Sequence, residues 1–77
     1  MLILYTRTGC PFCTKVFNAA SDLGIILEER NIADGKNLAE LLKEGGKRQV
    51  PFLVDKERGI SLYESDDIVE YLKSNVV

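Results

Sequence analysis

The sequence predicts an α/β domain with the order β-α-β-α-β-β-α, in which a four-stranded mixed sheet carries helices on both faces. Three observations point to this. Short apolar runs bounded by turn residues stand near the start, "LILY", and in the second half, "PFLVD" and "GISLY". Between and after these runs, apolar residues recur at the spacing of one helix face. Glycine, asparagine and aspartate gather at the junctions, where turns and caps need them.

The first strand, Leu2 to Tyr5, is apolar without alternation, the pattern of a central strand buried on both faces. A helix follows from Pro11 to Leu23. Pro11 suits the first helical position, where the missing N–H has no partner to lose. Cys13, Val16, Phe17, Ala20 and Leu23 form its inward stripe, and Gly24 is the expected left-handed stop. The run "IILEERNI", Ile25 to Ile32, reads as the second strand. A shorter helix spans Asn37 to Glu44, with Leu38, Leu41 and Leu42 inward and Asn37 with Glu40 as a capping pair, and Gly45 and Gly46 end it. "PFLVD" and "GISLY" flank the turn Lys56 to Gly59 as a hairpin. The last helix begins at Ser65 as N-cap, with Asp66 and Asp67 in its first turn. Ile68, Val69, Leu72 and Val76 are expected to pack it down. A right-handed crossover through the first helix makes the opening pair of strands parallel. That order is the topology of a minimal thioredoxin fold.

At 77 residues the chain is expected to be one domain. It is 45% hydrophobic and 29% charged, with a net charge of −2, the composition of a soluble globular protein without a basic face for nucleic acid. "MLILY" lacks the basic leader and cleavage site of a signal peptide, and no run approaches the ~20 apolar residues that cross a bilayer. A cytoplasmic, monomeric protein with no membrane partner is therefore expected. In that compartment a lone close pair of cysteines is catalytic or metal-binding more often than structural.

That pair is Cys10 and Cys13, in "YTRTGCPFCTK". Cys10 falls between a strand and the first turn of a helix, where unpaired N–H groups and the helix dipole converge. A thiolate there is stabilised relative to the thiol, with Arg7 nearby as a further positive charge. Cys13 lies one turn inside on the same face, more buried and less acidic. One sulfur is set to attack and the other to resolve, as disulfide exchange requires. A zinc site would need four ligands, and the chain offers two cysteines and no histidine, so no metal is expected. A structural disulfide would close too small a loop to stabilise much. Two unreactive cysteines remain the plain alternative. Pro51, in "QVPF", is either a trans proline that opens the hairpin or a cis proline that turns Val50 toward Cys10.

Over essentially its whole length the chain resembles a glutaredoxin. "CPFC" is similar to the family's dithiol centre, with Phe12 where tyrosine is usual. "QVP" is similar to its Thr-Val-Pro, with Gln49 in place of threonine. "ESDD", Glu64 to Asp67, stands where the family often has Gly-Cys-Asp-Asp or Gly-Cys-Ser-Asp. The resemblance implies that Pro51 is cis, that Cys10 is the nucleophile and Cys13 the resolving thiol, and that glutathione is the co-substrate. It implies a glutathione surface of Arg7, Phe12, Lys47, Gln49, Val50, Pro51, Ser65 and Asp66. Arg7 and Lys47 would face the glycine carboxylate, Val50 the cysteinyl backbone, and Ser65 with Asp66 the γ-glutamyl end. The last assignment has its own physics, since N–H groups that open a helix bind a carboxylate and an aspartate meets an ammonium. Arg48 and Lys15 are further sources of positive potential near the thiolate. The implied partners are glutathione and proteins bearing disulfides or glutathione adducts.

"YESDDIVEYL" also resembles the N-terminal domain of glutathione transferases, and adds Glu64 as a contact to the glutathione ammonium. Those proteins continue into a large helical domain that this sequence lacks, which weighs toward the oxidoreductase. Three rivals stay open. One is a thioredoxin-like reductant recharged by a flavoprotein reductase, another is an iron–sulfur carrier bridged by two chains and two glutathiones, and the third is a module that binds glutathione without turnover.

Overall fold

The computed structural model describes residues 1–76, and their side chains as far as residue 75. Its elements are β1 (Leu2–Thr6), α1 (Pro11–Asp22), β2 (Glu28–Asn31), α2 (Gly35–Gly45), β3 (Phe52–Asp55), β4 (Ile60–Leu62) and α3 (Ser65–Tyr71), which runs on into a π-helical turn, Leu72–Val76. The four strands are ordered β2-β1-β3-β4. β1 pairs with β2 in parallel and with β3 antiparallel, and β4 completes an antiparallel hairpin with β3. This is the mixed sheet that the sequence predicts.

The period of two along β1 and β3 divides the core. Ile3, Tyr5, Phe52 and Val54 face α2 through Leu41, with Ile32 beside them. Leu4 and Leu53 face the other way, onto Val16 and Ala20 of α1, Ile68 of α3 and Leu72 just beyond it. Leu4, Val16, Leu53, Ile68 and Leu72 are wholly enclosed. Full burial of each such side chain contributes about 1.5–3 kcal/mol, so the sheet is the rigid base on which the loops at its edge are held.

Several boundaries differ from the sequence reading. Gly24 does take a left-handed conformation, φ 72°, but it carries Ile25 with it into the helix end. Ile25 N–H donates to Ala20 O (2.8 Å) and Gly24 N–H to Ser21 O (3.1 Å), the paired bonds of a Schellman cap. β2 therefore starts only at Glu28, and Ile26 stands almost fully exposed. α2 starts earlier than expected, capped by Asp34, whose carboxylate accepts from Lys36 N–H (3.0 Å). Asn37 and Glu40 are not a capping pair. Asn37 donates to Asn31 O (2.9 Å), and Glu40 accepts from Arg30 (2.7 Å) and Tyr5 OH (3.2 Å).

Leu42, expected inward, lies at the margin of α2 and is exposed, while Leu38 and Leu41 take the sheet-facing positions. Gly46, with φ 82°, is the residue that ends α2. In α3 the N-cap is Glu64 and Ser65 is the first helical residue, because Ile68 N–H bonds to Glu64 O (2.8 Å). The expected packing of Val76 lies outside the described side chains.

Candidate functional site at the cysteine pair

β1 delivers the chain to Arg7 at one end of the sheet, and a single turn then aims Cys10. Cys10 N–H donates to Arg7 O (3.2 Å), and Gly9, with φ 78°, supplies the positive φ that this turn requires of its third residue. Cys10 is the N-cap of α1 in an extended conformation, and its Sγ accepts from Cys13 N–H at 3.1 Å. A sulfur thus takes the place of the Ser or Asp oxygen usual at such a cap. The sulfur thus stands where the first turn of α1 presents its backbone N–H groups. Both cysteines are free thiols.

Cys13 is 3% exposed and Cys10 6%. The expected contrast in burial is therefore small. Burial first, and hydrogen bonding with the Cys10 side chain second, push the Cys13 thiol up to about 11, against the opposing pull of the Arg7 backbone and guanidinium. Cys13 keeps its proton at neutral pH.

Beside the pair runs a groove of about 310 Å³. Phe12 forms one side, Gln49, Val50 and Pro51 another, and Tyr63 to Asp66 the third. The Val50–Pro51 bond is cis, as the family resemblance implied. Six of the predicted glutathione contacts, Phe12, Gln49, Val50, Pro51, Ser65 and Asp66, thus share one wall system. Arg7 and Lys47 are exposed and lie outside the groove lining. A larger hollow, about 400 Å³, lies at the opposite end of the sheet between Met1, Ile26 and the Asp55–Arg58 turn, away from both cysteines.

Contacts across the groove were not legible from the sequence. Lys15 forms an ion pair with Asp66, which ties α1 to α3. Gln49 donates to Glu64 across the groove (3.4 Å). Tyr63 reads in the sequence only as the end of a strand. Its hydroxyl accepts from Lys47 N–H (3.0 Å) and donates to Lys47 O (2.9 Å), and its ring packs against Phe52 with centroids 4.4 Å apart. The "GG" pair that reads as a helix stop contains the one available signal, since a side chain at Gly45 would collide with the Tyr63 phenol.

Against known proteins, the family described as "Glutathione S-transferase, N-terminal domain" matches residues 4–76. No curated protein matches. Among solved structures, a delta-class glutathione transferase from Nilaparvata lugens is 31% identical with a TM-score of 0.81, over 97% of this chain and 36% of that one. Glutaredoxin 2 from Salmonella typhimurium, solved in complex with glutathione, is 28% identical with a TM-score of 0.80, over 96% and 33%. Glutathione transferase Omega 3C from Trametes versicolor, at 24% identity and a TM-score of 0.84, covers 97% of this chain and shares the fold. The chain spans about a third of the length of these proteins. With nearly every residue matched, the chain belongs to the family of glutathione S-transferase N-terminal domains, built on a thioredoxin-like fold.

Proposed function

We propose that this chain is a glutathione-dependent thiol–disulfide oxidoreductase of the glutaredoxin type, acting in the cytoplasm. The observation that carries the reading is the Cys10 sulfur at the mouth of α1, hydrogen-bonded by Cys13 N–H, with the protonated Cys13 thiol next to it. The Cys10 thiolate attacks the glutathione sulfur of a mixed disulfide. A Cys10–glutathione disulfide forms, and the substrate leaves as a thiolate that takes up a proton. A second glutathione thiolate then attacks the glutathione sulfur on Cys10, which releases glutathione disulfide and restores the Cys10 thiolate. In the alternative branch Cys13, once deprotonated, attacks the Cys10 sulfur, and the Cys10–Cys13 disulfide replaces the mixed one as glutathione departs.

In this reading the groove holds the glutathione moiety. Val50, which lines the groove, pairs with the cysteinyl backbone, and Phe12, Gln49 and Pro51 flank it. Ser65 and Asp66 receive the γ-glutamyl head, and Arg7 and Lys47 the glycine carboxylate. Asp66 is paired with Lys15 in the free protein, so a ligand ammonium shares or displaces that partner. The glutathione complex of a 28%-identical glutaredoxin supports this ligand.

The test is turnover of a glutathionylated peptide with glutathione as reductant. Cys10→Ser is expected to abolish it, and Cys13→Ser to retain it. Equal rates for wild type and Cys10→Ser would overturn the assignment. The family match favours a second reading, transfer of glutathione to an electrophile. Conjugation of glutathione to an aromatic halide by wild type, undiminished in Cys10→Ser, would support that reading instead.

A further inference from the structure

The segment from Lys47 to Pro51 carries much of the proposed glutathione surface, yet it belongs to no helix or strand. Such a segment keeps one shape only if something outside it holds its backbone. Tyr63, just after β4, does so through both polar groups of one residue. Its hydroxyl accepts the Lys47 N–H at 3.0 Å and donates to the Lys47 carbonyl at 2.9 Å. The same ring lies under the Lys47 ammonium, 5.6 Å from Nζ to the ring centroid. That distance is within the range of attraction between a cation and an aromatic face.

The ring is itself held on two further sides. Phe52, the first residue of β3, packs against it in a tilted pair with centroids 4.4 Å apart and against Tyr5 of β1 at 5.9 Å, so the phenol is joined to the core by a row of aromatic rings. Gly45 closes the other side, where a Cβ would overlap the phenol oxygen and crowd the Phe52 ring. Tyr63 also lines the groove, next to Glu64. One side chain therefore sets both the backbone that leads to the cis bond and the place of a surface cation.

We infer that Tyr63 is a positioning residue that holds Lys47 for recognition of a ligand's terminal carboxylate. This rests on the glutathione reading, and deepens it by naming what tells the free glycine carboxylate from a blocked one. A flexible lysine on a free loop would discriminate poorly. A lysine whose backbone is doubly bonded and whose ammonium rests on a ring presents its charge from one direction, at less cost in lost freedom on binding.

The experiment compares glutathione with its glycine ethyl ester as reductants of one glutathionylated peptide, in wild type and in Tyr63→Phe. The variant keeps the ring and loses both bonds to Lys47. Its KM for glutathione is expected to rise roughly three- to tenfold, the loss associated with one or two ordinary hydrogen bonds. Its KM for the ester and its kcat should stay near wild type, so the preference for the free acid falls. Gly45→Ala, which displaces the same phenol from the opposite side, should lower that preference too. An unchanged preference in a Tyr63→Phe protein that turns over normally would overturn the inference, as would equal rises in KM for both reductants, since a merely structural role gives either result. Failure of wild type to turn over with glutathione at all would instead overturn the function on which the inference rests.

Discussion

Two cysteines three positions apart differ here because one hydrogen bond and one helix end distinguish them. Cys10 Sγ receives an N–H at the mouth of α1, and Cys13 sits one turn deeper, where burial raises its thiol from 9.0 to about 11. That shift has a measurable consequence for stability. Between about pH 9 and pH 11 the unfolded chain has lost the Cys13 proton while the folded chain keeps it, so stability is complete below this window and falls as pH rises through it. The slope is at most about 1.4 kcal/mol per pH unit for one such group. Denaturant unfolding of the reduced protein should therefore weaken more steeply across this range in wild type than in Cys13→Ser, and equal slopes would contradict the assignment. At this scale the sequence was most legible where function is set by near neighbours. The cysteine spacing, Pro51 and the first turn of α3 are all local patterns. Lys15 with Asp66, and Tyr63 with Lys47, were not legible, because each pair is joined only when the sheet brings distant segments together.

The elements were legible in kind and less so at their ends. Gly24 announces the stop of α1, but the two bonds of its cap also consume Ile25, a residue whose β-branched character alone suggests a strand. Asp34 and Asn37 are both good caps by type. Asp34 caps α2, and the side chain of Asn37 is taken by Asn31 O. α3 is held from its far end by a contact that no local pattern reveals. Tyr71 OH donates to the buried Asp55 carboxylate (2.6 Å) at the end of β3, which also accepts from Arg58 (3.0 Å) and from the amides of Glu57 and Arg58. The Tyr71 hydroxyl first, and Arg58 with it, hold Asp55 below the usual carboxylate range. A depressed carboxyl contributes stability above its unfolded pKa and loses it as pH falls through the folded one. Tyr71→Phe should cost about 1–3 kcal/mol near neutral pH, because a buried carboxylate loses a donor, and should flatten the loss of stability in acid. Urea unfolding at neutral and acid pH checks both, and an undiminished stability would show that the bond carries nothing.

Across the molecule, the sheet order β2-β1-β3-β4 gathers the site from three separate places. The end of β1 with the start of α1 brings the cysteines, the segment before β3 brings the cis proline, and the start of α3 brings Ser65 and Asp66. α2 covers one face of the sheet, and α1 with α3 covers the other. That layering followed from the order of elements, since a βαβ unit crosses over with one hand and a hairpin must pair with itself. The reaction does not follow from the layering. The same architecture recurs in a transferase and in a glutaredoxin, so the chemistry rests on what stands at the mouth of α1. The direct measurement is mass spectrometry of Cys13→Ser after brief exposure to glutathione disulfide and tryptic digestion. Cleavage after Arg7 and Lys15 isolates the peptide Thr8 to Lys15, in which Cys10 is then the one remaining sulfur. The account predicts that this peptide carries one glutathione, released again by added glutathione, and that Cys10→Ser treated alike carries little. A peptide left unmodified, or one modified equally through Cys13 in Cys10→Ser, would contradict it.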